Sequence, residues 1–351
     1  MTGSRSRFRE PLPPAPLTPG PLTPGPLTPG PITPGVWTSE PLTPGPLTPG
    51  PLTPGALTPG VDIPPLSDRE FSLLRALIYR EAGIHLTSAK KALVVARLGR
   101  RLRALGLCSF GAYYQLVSAP EGATERVHML DAISTNETSF FRERKHFDLL
   151  EREILPRWTR EAAANQRPRC LRAWSAGCST GEEPYSLAMV LLRHLPPGAG
   201  WQIDILATDL STRVLERARA GLWSIEKAEA IPNEYRRAFM LRGIRAHEGS
   251  MKAGPELRAA VHFAQLNLRM DSYPVPHNCD LIFCRNVLIY FDQPMRAHIT
   301  AQLVRHLQPG GYLFLGHAET LPPAVQGDLM VVMPTVYMRP AEGPAGRGRK
   351  T

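Results

Sequence analysis

Residues 171–192, LRAWSAGCSTGEEPYSLAMVLL, constrain the fold more than any other stretch of the chain. Leu171 to Trp174 read as a short strand, and Ser175, Ala176, Gly177, Ser179 and Gly181 make a turn of small residues. An amphipathic helix follows, from about Pro184 to His194. Strand, small-residue turn and helix together bring a nucleoside cofactor against bare backbone, because glycine has no side chain to hold it off. Glu182 and Glu183 come next, where a phosphate-cradling loop needs Lys followed by Ser or Thr. The spacing therefore argues against a phosphate ligand.

From Pro168 onward strand and helix alternate. The strands are RCLRAWSAG, WQIDILATDL ending in Asp209, HFAQLNL, Leu281 to Cys284, and YLFLGHAE after a PGG turn. The helices are PYSLAMVLLRHL, STRVLERARAGLW capped by Ser211, and Gln293 to Leu307. MVVMPTVYMRP reads as a hairpin around Pro334. This rhythm predicts an α/β fold with a doubly wound, mostly parallel sheet that binds its ligand at the carboxyl ends of the strands. Residues 231–263 carry little of the rhythm.

Ahead of this unit the pattern is helical. Phe71, Leu74, Leu77 and Ile78 share one face after an N-cap at Ser67 or Asp68, and Val94, Val95, Leu98, Leu102 and Leu105 share another. Two more helices are expected over 109–118 and 123–133. Residues 66–135 thus form a small all-α domain, with nine Lys or Arg against three Asp or Glu between Leu66 and Leu105. Lys90, Arg97 and Arg101 flank one side of the second helix. The chain as a whole carries a formal charge of +10, which suits an acidic partner. STNETSFFR (134–142) bridges the two units.

Residues 16–60 are nine five-residue units, six of them PLTPG, interrupted by VWTSE at 36–40. Proline at two positions in five denies the backbone its donors and fixes φ, so residues 1–65 are read as a disordered arm, with Trp37 as its natural anchor if it docks. The basic tail 341–351 is read likewise. Five Cys without a CxxC fit reduced thiols, ten His without ligand spacing predict no metal, and no apolar run is long enough for a signal or a membrane span. A cytoplasmic location is expected.

Asp209, at the end of the second strand, is placed to accept hydrogen bonds from both hydroxyls of a ribose. That geometry serves NAD and S-adenosylmethionine alike. The turn, however, is GxSxG rather than GxGxxG, and the carboxylates after it repel a pyrophosphate but suit a sulfonium and an ammonium group. A methyltransferase is the leading class.

With STNETSFFR (134–142), WSAGCSTGEEPYSLAM (174–189), ATDL (207–210), NL (267–268) and CRNVLIYFD (284–292) in order, the chain resembles the chemotaxis receptor methyltransferases, from about Leu66 to Arg339. The resemblance implies a Rossmann-like methyltransferase domain over 136–340, with a small antiparallel β insertion at about 231–263. It implies that Asn136, Thr138 and Arg142 line the cofactor pocket with Gly177. Glu182 is expected at the cofactor's methionine or nearby backbone, Asp209 at the ribose, Asn267 and Leu268 beside the adenine, and Arg285 and Asn286 closing the pocket. Arg142 and Tyr290 are expected nearest the methyl group, as the catalytic pair.

The implied substrates are glutamates of bacterial chemoreceptors, with the cytoplasmic receptor helices as partners of the basic domain. The resemblance also implies that a receptor tail can bind the insertion. The loop RGIRAHEGS (242–250) keeps Gly243 and Gly249, but Arg245 stands where tail-binding members tend to have a third Gly, and φ > 0 is disfavoured there. Two other readings remain open. The +10 charge favours a nucleic-acid methyltransferase, against which stands the lack of an NPPY-type motif, a catalytic Cys or interleaved aromatics. The unusual arm favours a binding module that holds the cofactor without transfer.

Overall fold

Ser67 opens the first helix by a reciprocal cap: its hydroxyl accepts from the Glu70 N–H at 3.2 Å, and Glu70 accepts from the Ser67 N–H at 2.9 Å. The computed structural model describes residues 64–341; the proline-rich arm with Trp37 and the basic tail lie outside the described residues. Helices α1 (Asp68–Ala82), α2 (Lys91–Ala104), α3 (Phe110–Ser118) and α4 (Ala123–Ile133) bury Phe71, Leu74, Ile78, Val94, Leu98, Tyr113 and Met129 in one core. Val95 and Leu105 were expected on that face but are exposed, because the buried stripe of α2 is the narrower row Val94, Leu98, Leu102. Arg97 and Arg101 are tied down rather than free: Arg97 reaches the backbone of Ile133 and Ser134, and Arg101 pairs with Glu125. Lys90, Arg100 and Arg103 are exposed, with no carboxylate within 4.0 Å among the described residues.

Helices α5 (Arg144–Leu149) and α6 (Leu155–Ala163), joined by a π-helical turn, lead into the sheet. Its elements run β1 (Cys170–Ala176), α7 (Glu182–His194), β2 (Gln202–Asp209), α8 (Thr212–Ala220), β3 (Leu222–Ser224), α9 (Asn233–Phe239), β4 (Met240–Arg242), β5 (Ser250–Ala253), α10 (Pro255–Ala260), β6 (Val261–Gln265), β7 (Cys279–Cys284), α11 (Gln293–His306), β8 (Leu307–Leu315), β9 (Met330–Met333) and β10 (Val336–Met338). The main sheet has the order β6-β2-β1-β7-β8-β10-β9. Its first five strands are parallel, and the β9–β10 hairpin joins antiparallel. The chain steps outward from β1 to β2 and β6, then returns to place β7 on the other side of β1. The switch point of the sheet therefore lies between β1 and β7.

A second, antiparallel sheet has the order β3-β5-β4. It occupies 222–253, ahead of the range expected from the sequence, and Val261–Gln265 belongs to the parallel sheet instead. The cause is Gly221, which takes φ +57° and ends α8 after Ala220. Leu222 and Trp223, expected at the end of that helix, begin the insert. The PGG at 309–311 is likewise not a separate turn: β8 runs through it.

The helical domain docks on the sheet through backbone and side-chain hydrogen bonds. The His85 N–H donates to the Tyr290 carbonyl at 2.8 Å, Asn267 Nδ2 donates to the Glu81 carbonyl at 2.7 Å, and the Tyr79 hydroxyl donates to Asp292 at 2.9 Å. Among the described residues no helix is long and apolar enough to cross a membrane.

Candidate active site

Backbone at the ends of β1 and β7 opens a cleft. Gly177, the first residue after β1, takes φ +88°, and a methyl group there would overlap Val287 Cγ2 on the opposite wall. Only glycine leaves this backbone bare. Ser179 also takes a left-handed φ, of 50°, held by its hydroxyl donating to the Asn136 carbonyl at 2.9 Å.

Ten of the eleven site residues expected from the sequence line this one cleft. Asn136, Thr138 and Arg142 come from the bridging segment, Gly177 and Asp209 from the ends of β1 and β2. Asn267 and Leu268 follow β6, and Arg285, Asn286 and Tyr290 follow β7. The sheet sets the four strand ends β6, β2, β1 and β7 side by side, and the bridging segment is laid across them.

Glu182 is the exception, and the structure does not bring its side chain to the cleft. Its side chain is fully buried, away from the cleft, where it accepts from Thr180 Oγ1 at 2.6 Å and pairs with Lys227 of the insert. The residue that lines the cleft is its neighbour Glu183. Successive residues at a helix start point about 100° apart, so only one of the two faces the turn. Glu183 accepts from Ser175 Oγ at 2.7 Å and lies 3.4 Å from Arg285 Nη1. Burial pushes its carboxyl up, against the pull of Arg285 and Ser175.

Arg285 stands at the centre of a buried charge cluster. It meets Glu183 on one side and Glu143 at 3.2 Å on the other, and it also donates to the Arg142 carbonyl. Burial opposes ionisation of Glu143, but Arg285 and the His317 N–H prevail and hold its carboxyl below the usual value. Glu319 accepts from the N–H groups of Asn286 at 2.9 Å and Gly316 at 2.6 Å. Two carboxylates, Glu143 and Glu183, thus flank one guanidinium, and Glu183 with Asp209 gives the cleft wall negative charge that suits a cationic ligand.

Asp209 Oδ2 accepts from the Ser179 N–H at 2.8 Å, and Oδ1 accepts from the Ser211 N–H at 3.0 Å. Burial pushes this carboxyl up while those two N–H groups oppose it. Each oxygen keeps a lone pair for a ligand hydroxyl. The bare turn, the paired-hydroxyl acceptor and the anionic wall together fit a nucleoside carrying positive charge, and S-adenosylmethionine is such a ligand.

At the other end of the cleft, Arg142 donates to the Glu137 carbonyl at 2.9 Å, which leaves most of its five donors uncommitted. It sits between Phe141 (φ 50°) and Glu143 (φ 58°), two left-handed residues that turn the chain sharply around it. The Tyr290 hydroxyl donates to the Thr135 carbonyl at 3.3 Å, and burial raises its pKa, so it is a donor rather than a base. Ala82, Ile84 and Ile133 of the helical domain complete the wall. The sequence carried no local signal for them, since their place depends on how the two domains dock. Among the described residues no group of three or more His, Cys, Asp or Glu is placed to hold a metal ion.

Two family models match the chain. The CheR methyltransferase all-alpha domain covers residues 69–134, and the CheR methyltransferase SAM binding domain covers 136–338. A chemotaxis protein methyltransferase of Escherichia coli K12 is 42% identical over 255 residues, spanning 72% of this chain and 85% of that protein. The Klebsiella aerogenes chemotaxis protein methyltransferase is 39% identical, over 78% of this chain and 90% of that protein. Chemotaxis protein methyltransferase 2 of Pseudomonas aeruginosa is 40% identical, over 71% and 86%. With its all-α domain, its Rossmann-like sheet and its cleft at the switch point, the chain belongs to the CheR chemotaxis methyltransferase family and is an S-adenosylmethionine-dependent methyltransferase.

Proposed function

We propose that this enzyme forms methyl esters on glutamate side chains of bacterial chemoreceptors, and that it does so at the Arg142 end of the cleft. The observation that carries the reading is an uncommitted guanidinium at the mouth of an anionic, bare-backbone cleft in a chain of this family. When bound, S-adenosylmethionine supplies an electrophilic methyl group on a cationic sulfur. A receptor glutamate, with a pKa near 4.3, is already ionised at neutral pH and needs no base. That agrees with the Tyr290 phenol, which burial keeps protonated.

The residues then have simple tasks. Arg142 holds one carboxylate oxygen through its planar fork and leaves the other to attack. The Tyr290 hydroxyl borders the same space. Because the reaction joins opposite charges, strong hydration of either partner slows it, and the enzyme works by alignment and exclusion of water. Asp209, Glu183, Asn136, Thr138, Gly177, Asn267, Leu268, Arg285 and Asn286 are assigned to holding the cofactor, with Glu183 in the role first expected of Glu182. Lys90, just ahead of α2, and Arg100 and Arg103 on it are exposed and offer an acidic receptor helix its electrostatic partner.

Receptor-tail binding by the insert is a finer question. Arg245 takes φ +53°, so the loop adopts the left-handed backbone there at a cost that a glycine would avoid. Tail binding is tested by adding a C-terminal receptor peptide in competition with intact receptor.

Labelled S-adenosylmethionine and receptor cytoplasmic fragments test the whole reading. Base-labile label on protein, released as methanol, supports glutamate esters. Label on RNA or DNA supports a nucleic-acid methyltransferase, and binding without transfer supports a sensor module.

A further inference from the structure

The turn that carries Glu183 is held from behind by the antiparallel insert. Glu182, the residue before Glu183, buries its carboxylate completely, and among the described residues the one cation it meets is Lys227, from the 3-10 turn Ile225–Ala230 that follows β3. Trp223 of β3 donates its indole N–H to the Thr180 carbonyl at 3.2 Å, inside the same turn. The Trp223 ring stands edge-on to Phe140 at 5.0 Å and to Tyr185 at 5.2 Å. Tyr235 of α9 lies 5.3 Å from Phe141, and its hydroxyl donates to Glu151 at 2.5 Å; Glu151 also pairs with Arg144. The insert thus grips both segments that face the cofactor, the 177–183 turn and the Phe140–Arg142 corner.

Resting on the assignment of the cleft to S-adenosylmethionine, we infer that Lys227 and Trp223 are positioning residues of the cofactor site. In that role the insert is a working part of the catalytic domain as well as an attached module. A buried carboxylate without a cation is far costlier than a buried pair. Without Lys227, Glu182 has to leave its pocket to reach water, and Glu183, one peptide bond away, moves with it. Trp223 acts in parallel by fixing the Thr180 carbonyl.

The test uses the full chain and S-adenosylhomocysteine, titrated calorimetrically, with a melting curve for every variant. Lys227→Met raises Kd at least about tenfold. Glu182→Gln added to Lys227→Met removes the stranded charge and brings Kd back to within about threefold of the parent. Trp223→Phe keeps the ring packing, removes one hydrogen bond and raises Kd about fivefold. A purely structural role lowers the melting temperature and leaves Kd, measured well below melting, unchanged. Should Lys227→Met not fold, Trp223→Phe decides alone. An unmodified protein that does not bind S-adenosylhomocysteine overturns the cleft assignment and the inference with it. Binding by the unmodified protein, with the folded variants within twofold of it or with no recovery in the double variant, overturns the inference alone.

Discussion

Gly177→Ala is the sharpest test of how the cleft is built. At φ +88° an alanine pays for a left-handed backbone, about 1–2 kcal/mol. Its methyl also overlaps Val287 Cγ2, with Val287 Cγ1 at 3.4 Å and Cβ at 3.5 Å, so the valine has to shift. Such overpacking adds about 1–3 kcal/mol. The two terms together, about 2–5 kcal/mol, lower the melting temperature by roughly 4–20 °C for a domain of this size. Val287 lines the cleft and relaxes into it, so S-adenosylhomocysteine binding weakens by more than about tenfold. A double-mutant cycle separates the two causes. Gly177→Ala with Val287→Ala is less destabilised than the sum of the single changes by about 1–3 kcal/mol, because only the backbone term remains. Thermal melting and calorimetric titration of the four proteins check this. Additive effects, or a Gly177→Ala protein that melts and binds like its parent, would refute the reasoning.

Glu183→Gln raises the Kd for S-adenosylmethionine about 10- to 100-fold, the scale of a hydrogen bond to a charged group, while Glu182→Gln stays within about threefold. The reverse order in the same titration would return the cofactor contact to Glu182. Arg142→Ala lowers single-turnover methyl transfer by at least about 100-fold while changing cofactor affinity less than about fivefold; a collapse of affinity with intact chemistry at saturation would remove Arg142 from the reaction. His146 is fully buried, and burial first, then Arg285, pushes its pKa down to about 4. Its native pKa lies below the unfolded one, so the unfolded state binds the extra proton, and stability falls as pH drops from about 6.5 to about 4. His146→Gln flattens the melting temperature across that window while keeping a partner for Thr335, which lies 3.0 Å from His146 Nε2. An unchanged pH profile would exclude His146 as the titrating group.

How much of this was legible beforehand follows from the range of each interaction. The start of α1 was readable to within one residue, Ser67 or Asp68, and the reciprocal bonds between Ser67 and Glu70 make Ser67 the cap. The turn at 177–181 was readable because its glycines answer a local backbone demand. The start of the insert was misplaced because Leu222 and Trp223 continue the apolar pattern of α8, and only the left-handed Gly221 marks the break. That Glu183 and not Glu182 lines the cleft was not legible for a related reason. Two identical side chains in sequence carry no signal of which one faces inward, and the partner that decides it, Lys227, is distant in the chain.

The sequence by itself determined the parallel sheet, the bare turn after β1, the acidic acceptor after β2 and the family, because each rests on periodicity, on a glycine or on motifs within a few residues. Tertiary structure alone decided that Glu183 faces the cleft, that Arg285 gathers Glu143 and Glu183 around it, that the helical domain supplies one wall and that the insert braces the turn. These are contacts between segments far apart in the chain. Burial and charge select them only once the strands have been laid side by side.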